Sequence, residues 1–104
     1  MAYTIKKYSY DKAKKLGVII KPSTVQGKKI DVFNKKGDKL ASIGALGYAD
    51  YPTYIINAGQ EFANKRRKAY KDRHEKDRHV RGTAGWYADQ ILWSLIFITL
   101  NFTW

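Results

Sequence analysis

The chain has 104 residues and a mass of 12.0 kDa, with 20 Lys+Arg against 9 Asp+Glu for a formal net charge of +11. That length holds one domain with one small core, and excludes a two-domain enzyme with a separate cofactor lobe. With 44% apolar and 14% aromatic residues it is no disordered basic tail, and with no cysteine it has no disulfide, thiol nucleophile or Cys-based zinc site.

The charge is segregated. Residues 1–48 carry a net +8, residues 49–64 a net −2, residues 65–81 a net +6 and residues 82–104 a net −1. The first segment opens with Ser9-Tyr10-Asp11 and closes with Lys14-Lys15-Leu16-Gly17. Ser9 as cap, Asp11 in the first turn, lysines in the last turn and Gly17 as terminator predict a short helix. Val18-Ile19-Ile20 reads as a strand ended by Pro22. Lys29–Phe33 and Lys39–Ile43, joined by the turn Asn34-Lys35-Lys36-Gly37-Asp38, read as a hairpin.

After the Gly44–Pro52 connection a long helix is expected, capped by Thr53 or Asn57 and running to about His79, with Gly59 as its weak point. Phe62, Arg66, Tyr70 and His74 share one face of it. Gly82-Thr83-Ala84-Gly85 breaks that helix, and Thr83 caps a last one containing Trp86, Tyr87, Asp89, Ile91, Leu92 and Trp93. Those aromatics recur at helical spacing and so read as core. Beyond Ser94 the period changes to two, and Ile98, Leu100, Phe102 and Trp104 read as one face of a strand. The expected fold is therefore α+β: a short N-terminal helix, a small antiparallel sheet with a hairpin, a long basic helix, a C-terminal helix and a C-terminal strand. Residues 1–93 form the basic domain and residues 94–104 an apolar extension, whose Ile98, Leu100, Phe102 and Trp104 would meet a partner protein or a second copy.

The run from Lys65 to Arg81 carries the functional expectation. Guanidinium groups match phosphate oxygens bidentately, and a helix sets them in a row. The candidate nucleic-acid contacts are Lys65, Arg66, Arg67, Lys68, Lys71, Arg73, Arg78 and Arg81, with Tyr70 and His74 as stacking surfaces. Arg73 and Arg78 are expected to be removable without unfolding. The plain alternative is a solvated helix with internal pairs such as Asp72–Lys76 and Asp77–Arg73 or Asp77–Arg81. The whole-chain charge favours an anionic partner, DNA ahead of RNA.

The repeated Asp72-Arg73-His74 and Asp77-Arg78-His79 raise a metal or nuclease question. Two His five apart lie about 140° from one another on a helix, unlike a zinc-gripping i,i+4 pair. A further ligand would have to come from Asp50 or Asp89, so no metal site, catalytic residue or cofactor is assigned. Neither Gly44-Ala45-Leu46-Gly47 nor Gly82-Thr83-Ala84-Gly85 has the Lys-Ser/Thr ending of a phosphate loop, and both read as turns. No signal-peptide core is evident, and the longest apolar stretch, the 14 residues from Ile91 to Trp104, is short of the ~20 needed to span a bilayer. The expected location is inside a cell, without secretion.

Several stretches resemble a known family. They are Tyr8-Ser9-Tyr10-Asp11-x-Ala13-Lys14-Lys15-Leu16-Gly17, Lys29-Ile30-Asp31-Val32-Phe33 through Ala41-Ser42-Ile43-Gly44, and Tyr51-Pro52-Thr53-Tyr54. The most distinctive is Lys65-Arg66-Arg67-x3-Tyr70, continuing as Arg73-His74-x3-Asp77-Arg78 to Gly82-x2-Gly85-x-Tyr87-Ala88-Asp89-x-Ile91-Leu92-Trp93. Together they are similar to a family of small basic proteins encoded by large nucleocytoplasmic DNA viruses of algae and protists. The resemblance covers about residues 3–93. The family has no assigned activity, so the resemblance implies a viral context, in the virion or the infected cell, and no catalytic residue. The tail from Ser94 departs from the family's pattern, which ends near Ile-Leu-Trp. The leading expectation is a non-enzymatic viral nucleic-acid-binding protein. The alternatives are a virion structural protein, as minor capsid or internal assembly component, and, behind it, a small nuclease.

Overall fold

The computed structural model describes residues 3–95. Within them the order is α1 (Lys7–Leu16), β1 (Ile19–Pro22), β2 (Lys28–Phe33), β3 (Lys39–Ala45), α2 (Tyr51–Ala58), α3 (Gln60–Arg73) and α4 (Ala84–Leu92). This is the expected α+β architecture, with the three strands forming one antiparallel sheet in the order β1-β2-β3. Ile20 opposes Val32 and Ile30 opposes Ile43, so four buried aliphatics share one sheet face. They join Ile5, Ala13, Tyr51, Ala63, Ile91, Leu92 and Trp93 in a single core. The C-terminal strand expected from Ile98 to Trp104, with its partner interface, lies outside the described residues. Among those described, no helix is long and apolar enough to cross a membrane.

The first helix starts earlier than the sequence suggests. Lys6 occupies the cap position with no side-chain bond, and Ser9 lies inside the helix, fully buried. Its hydroxyl donates to the Ile91 carbonyl at 3.0 Å, so a tertiary bond to α4 replaces the local cap. Asp11 consequently falls beyond the first turn, where it pairs with Lys7 at 2.8 Å. Gly17 does terminate α1 in the left-handed region at φ 75°, and Val18 N–H reaches back to the Ala13 carbonyl.

The single long helix is a second correction. Gly59, at φ 89° and ψ 164°, breaks it into α2 and α3, which pack against each other. The cap of α2 is neither Thr53 nor Asn57 but Asp50, whose carboxylate accepts from Thr53 N–H and Oγ1. Helix α3 then stops at Arg73, and residues 74–83 form turns. Good intrinsic helix formers are overridden there because Arg78 folds back to the α3 carbonyl of Lys71 and towards the buried Asp89. Thr83 caps α4 as expected, accepting from Trp86 N–H, and Tyr87, Leu92 and Trp93 are buried, with Trp86 half-buried. Ser94 and Leu95, assigned by sequence to the extension, are bonded to α1, their carbonyls accepting from Tyr8 Oη and Lys12 Nζ.

Candidate nucleic-acid interface

The basic residues of α3 and of the turns that follow it divide into two sets. Arg67 is half-buried, with its Nε donating to the Trp93 carbonyl at 2.8 Å and its guanidinium 6.0 Å from the Tyr51 ring. Lys71 is bonded to the buried carboxylate of Asp89, and its pKa is lowered by burial in spite of that partner. Arg78, with its side chain 19% exposed, meets Glu75 at 2.7 Å and Asp89 at 3.8 Å. These three cations bond α3 and the turn after it to α4 and its C-terminal end, whereas the sequence set them in an outward row on phosphates with Arg78 removable. Lys68 is exposed but paired with Asp72 at 3.0 Å. The pairs expected at Asp72–Lys76, Asp77–Arg73 and Asp77–Arg81 are replaced by Lys68–Asp72, His74–Asp77, Glu75–Arg78 and Glu75–His79.

The second set faces outward. Lys65, Arg66, Arg73 and Arg81 are exposed. Arg66 lies 5.6 Å above the Tyr54 ring and Arg81 5.5 Å above Trp86, so both guanidinium groups are steered by an aromatic support.

Arg66, Arg73, Tyr70 and His74 come together along a cleft of about 540 Å³, whose lining also takes in Lys28, Gly44, Ala45, Tyr48 and Ala49 from the sheet and the β3–α2 connection. Tyr54, Trp93 and Leu92 floor it. The ring order is fixed by packing. Tyr70 stacks on Trp93 at 4.2 Å, and His74 lies against Tyr70 at 4.3 Å with a 31° tilt. Tyr70 is therefore enclosed by rings and is no free stacking surface, which corrects that expectation. Burial, reinforced by Asp89 and Asp77, pushes its phenol up to about 12. The lining includes Lys28, Lys29, Arg66, Arg73 and His74 and no carboxylate. Of these, Lys29 directs its ammonium to the buried Asp50 at 2.8 Å.

No family model, curated protein or solved structure matches this chain.

The acids that would have to complete a metal site are committed elsewhere. Asp50 is held by Lys29, Tyr3 and Thr53, and Asp89 by Lys71 and Arg78. His74 is 3.5 Å from Asp77 and His79 is 3.0 Å from Glu75, and among the described residues no three metal-type ligands converge.

Sequence reasoning missed two residues of this cleft, Lys28 and Tyr48. Lys28 is one lysine among many at a strand start, and Tyr48 stands in a loop whose place along the cleft only the fold determines. The one linear signal was a large aromatic directly after Gly47, where a buried role has no periodicity to support it.

Proposed function

We propose that this protein is a non-enzymatic nucleic-acid-binding protein that contacts phosphates through Lys28, Lys65, Arg66, Arg73 and Arg81. The observation that supports the reading is the cleft lined by arginine, lysine and aromatic rings with no carboxylate, in a chain of net charge +11. Phosphates approaching there meet long-range attraction and donors of suitable geometry, with no carboxylate in the lining itself. The viral resemblance of the sequence agrees with such a role inside a virion or infected cell, on an encapsidated or replicating genome.

The test is a titration against duplex and single-stranded DNA across a salt series. Neutralising about five phosphates gives a slope of log affinity against log salt near −4 to −5 on duplex and about −3.5 on a single strand. A flat salt response, or absence of binding at low salt, overturns the reading.

A further inference from the structure

Resting on that reading, we infer that the cleft between Tyr48 and α3 receives one unpaired nucleobase of a single strand, with Arg66, Arg73 and Lys28 holding the adjoining phosphates.

Three observations lead to this occupant. First, Tyr48 is 77% exposed and has no ring partner among the described residues, although every other aromatic lining the cleft is packed against another ring. A tyrosine left so open offers its π-face to a ligand. Second, three other rings of the lining form a series stepping outward from buried Trp93 through Tyr70 to His74, whose side chain is 39% exposed. The outermost imidazole extends an existing stack to the solvent, where a further planar ring continues it. Third, the volume of about 540 Å³ falls within the roughly 300–1,000 Å³ of small-molecule sites, and the lining carries cations without a carboxylate. Planar rings beside guanidinium and ammonium groups match the two halves of a nucleotide, an aromatic base and an anionic phosphate. A base in a duplex has both faces covered by its neighbours and cannot reach these rings. An unpaired base has its faces free, and aromatic stacking then adds affinity without requiring a particular sequence.

The experiment compares binding by fluorescence anisotropy of a short oligothymidylate, an abasic oligomer of equal length, and a duplex of equal length. Wild-type protein is expected to prefer oligothymidylate over both other probes. Tyr48→Ala should weaken oligothymidylate binding by about 5- to 150-fold and leave duplex binding unchanged. Tyr48→Phe should retain wild-type affinity, while Arg73→Ala should weaken all three probes. Circular dichroism confirms folding, which so exposed a side chain does not support. Equal affinity for oligothymidylate and the abasic strand, or an unaltered Tyr48→Ala affinity, overturns the base site while leaving phosphate binding standing. Failure of all three probes to bind overturns both.

Discussion

Arg67 and Tyr70 grip the same residue, Trp93, one by its backbone and the other by its ring: Arg67 Nε donates to the Trp93 carbonyl at 2.8 Å, while Tyr70 stacks on the indole with planes 6° apart. Residues three apart on a helix share a side, so this double contact sets how α3 is rotated. It turns Arg67 and Lys71 inward, and it leaves Arg66 and Arg73, seven apart on the same helix, at the cleft.

That rotation sorts the arginines by consequence. Arg67→Ala and Arg78→Ala each remove a charged hydrogen bond from a partly enclosed site and should cost about 1–3 kcal/mol of stability. At about 4–8 °C per kcal/mol for a domain of this size, thermal melting resolves the loss. Arg66→Ala and Arg73→Ala should keep the melting temperature within a few degrees and make the salt slope of DNA binding shallower by about one each. Melting curves that rank Arg66 and Arg73 above Arg67 and Arg78 would contradict the assigned rotation of α3.

Lys29 and Asp50 form the most enclosed ion pair among the described residues, 2.8 Å apart with side chains 4% and 1% exposed. Removing one partner of a buried pair leaves an uncompensated charge and costs about 3–5 kcal/mol. Asp50→Ala should be the more damaging change, because Asp50 also caps α2 and accepts from Tyr3 Oη at 2.7 Å. Lys29→Met leaves those other bonds in place. The double variant Lys29→Met with Asp50→Asn should be more stable than Asp50→Ala alone. Urea unfolding of the three variants checks the order, and equal midpoints for all three and the wild type would remove the pair's structural role.

The sequence carries the strands, the Thr83 cap and the Gly17 stop because each is a local signal: alternation, a hydroxyl before an apolar run, a glycine after one. Ser9 has the same local credentials as a cap and is not one, because its hydroxyl finds the Ile91 carbonyl 82 positions away in sequence. The basic run behaves likewise. Lys65, Arg66, Arg67 and Lys68 are alike as a string, and only the placement of Trp93 singles out Arg67, as that of Asp89 singles out Lys71 and Arg78 further on. Of the face read as Phe62, Arg66, Tyr70 and His74, the last three border the cleft, while Phe62 packs on Tyr54 outside its lining. The sheet-side wall of the cleft was not legible, since Tyr48 and Lys28 are brought there by the β3–α2 connection and the sheet.

Gly44 tests how closely that wall is packed. It sits in β3 at φ 79°, and a Cβ added there would lie 2.9 Å from Lys29 Cδ and 3.0 Å from Leu92 Cδ1. Gly44→Ala therefore combines a disfavoured backbone region with a clash against the floor of the cleft, and should cost about 1–3 kcal/mol. Gly37, with φ 95° but open space around it, supplies the control. Gly37→Ala should show only the backbone penalty, so the smaller shift in melting temperature belongs to it; the reverse order would mean that the cleft floor yields without cost.

Stability should form a plateau bounded by two different sets of groups. Burial pushes the Asp31 carboxyl up, but bonds from Ser23, Ser42, Thr24 N–H and Lys39 outweigh it and hold it below the ordinary carboxylate range. Asp50 is likewise lowered on balance, with Lys29, Thr53 and Tyr3 outweighing its desolvation. A carboxyl with a lower pKa folded than unfolded leaves the unfolded chain binding more protons in acid. The stability from both groups is therefore present above the unfolded value near ~3.9 and is lost as pH falls below it towards their folded values. At the alkaline end the phenols of Tyr3, Tyr8 and Tyr70 are all raised, chiefly by burial. Unfolded tyrosines ionise first, so this stability is whole below the unfolded value near ~10 and is lost as pH rises from there towards the folded values. Urea midpoints measured across pH should fall at both ends and stay level between them. Asp31→Asn keeps an acceptor for Ser23 and Ser42 but removes the titrating charge, so it should lower the plateau and flatten the acid limb while leaving the alkaline limb unchanged. An acid limb as steep in Asp31→Asn as in the wild type would show that acid sensitivity arises elsewhere in the chain.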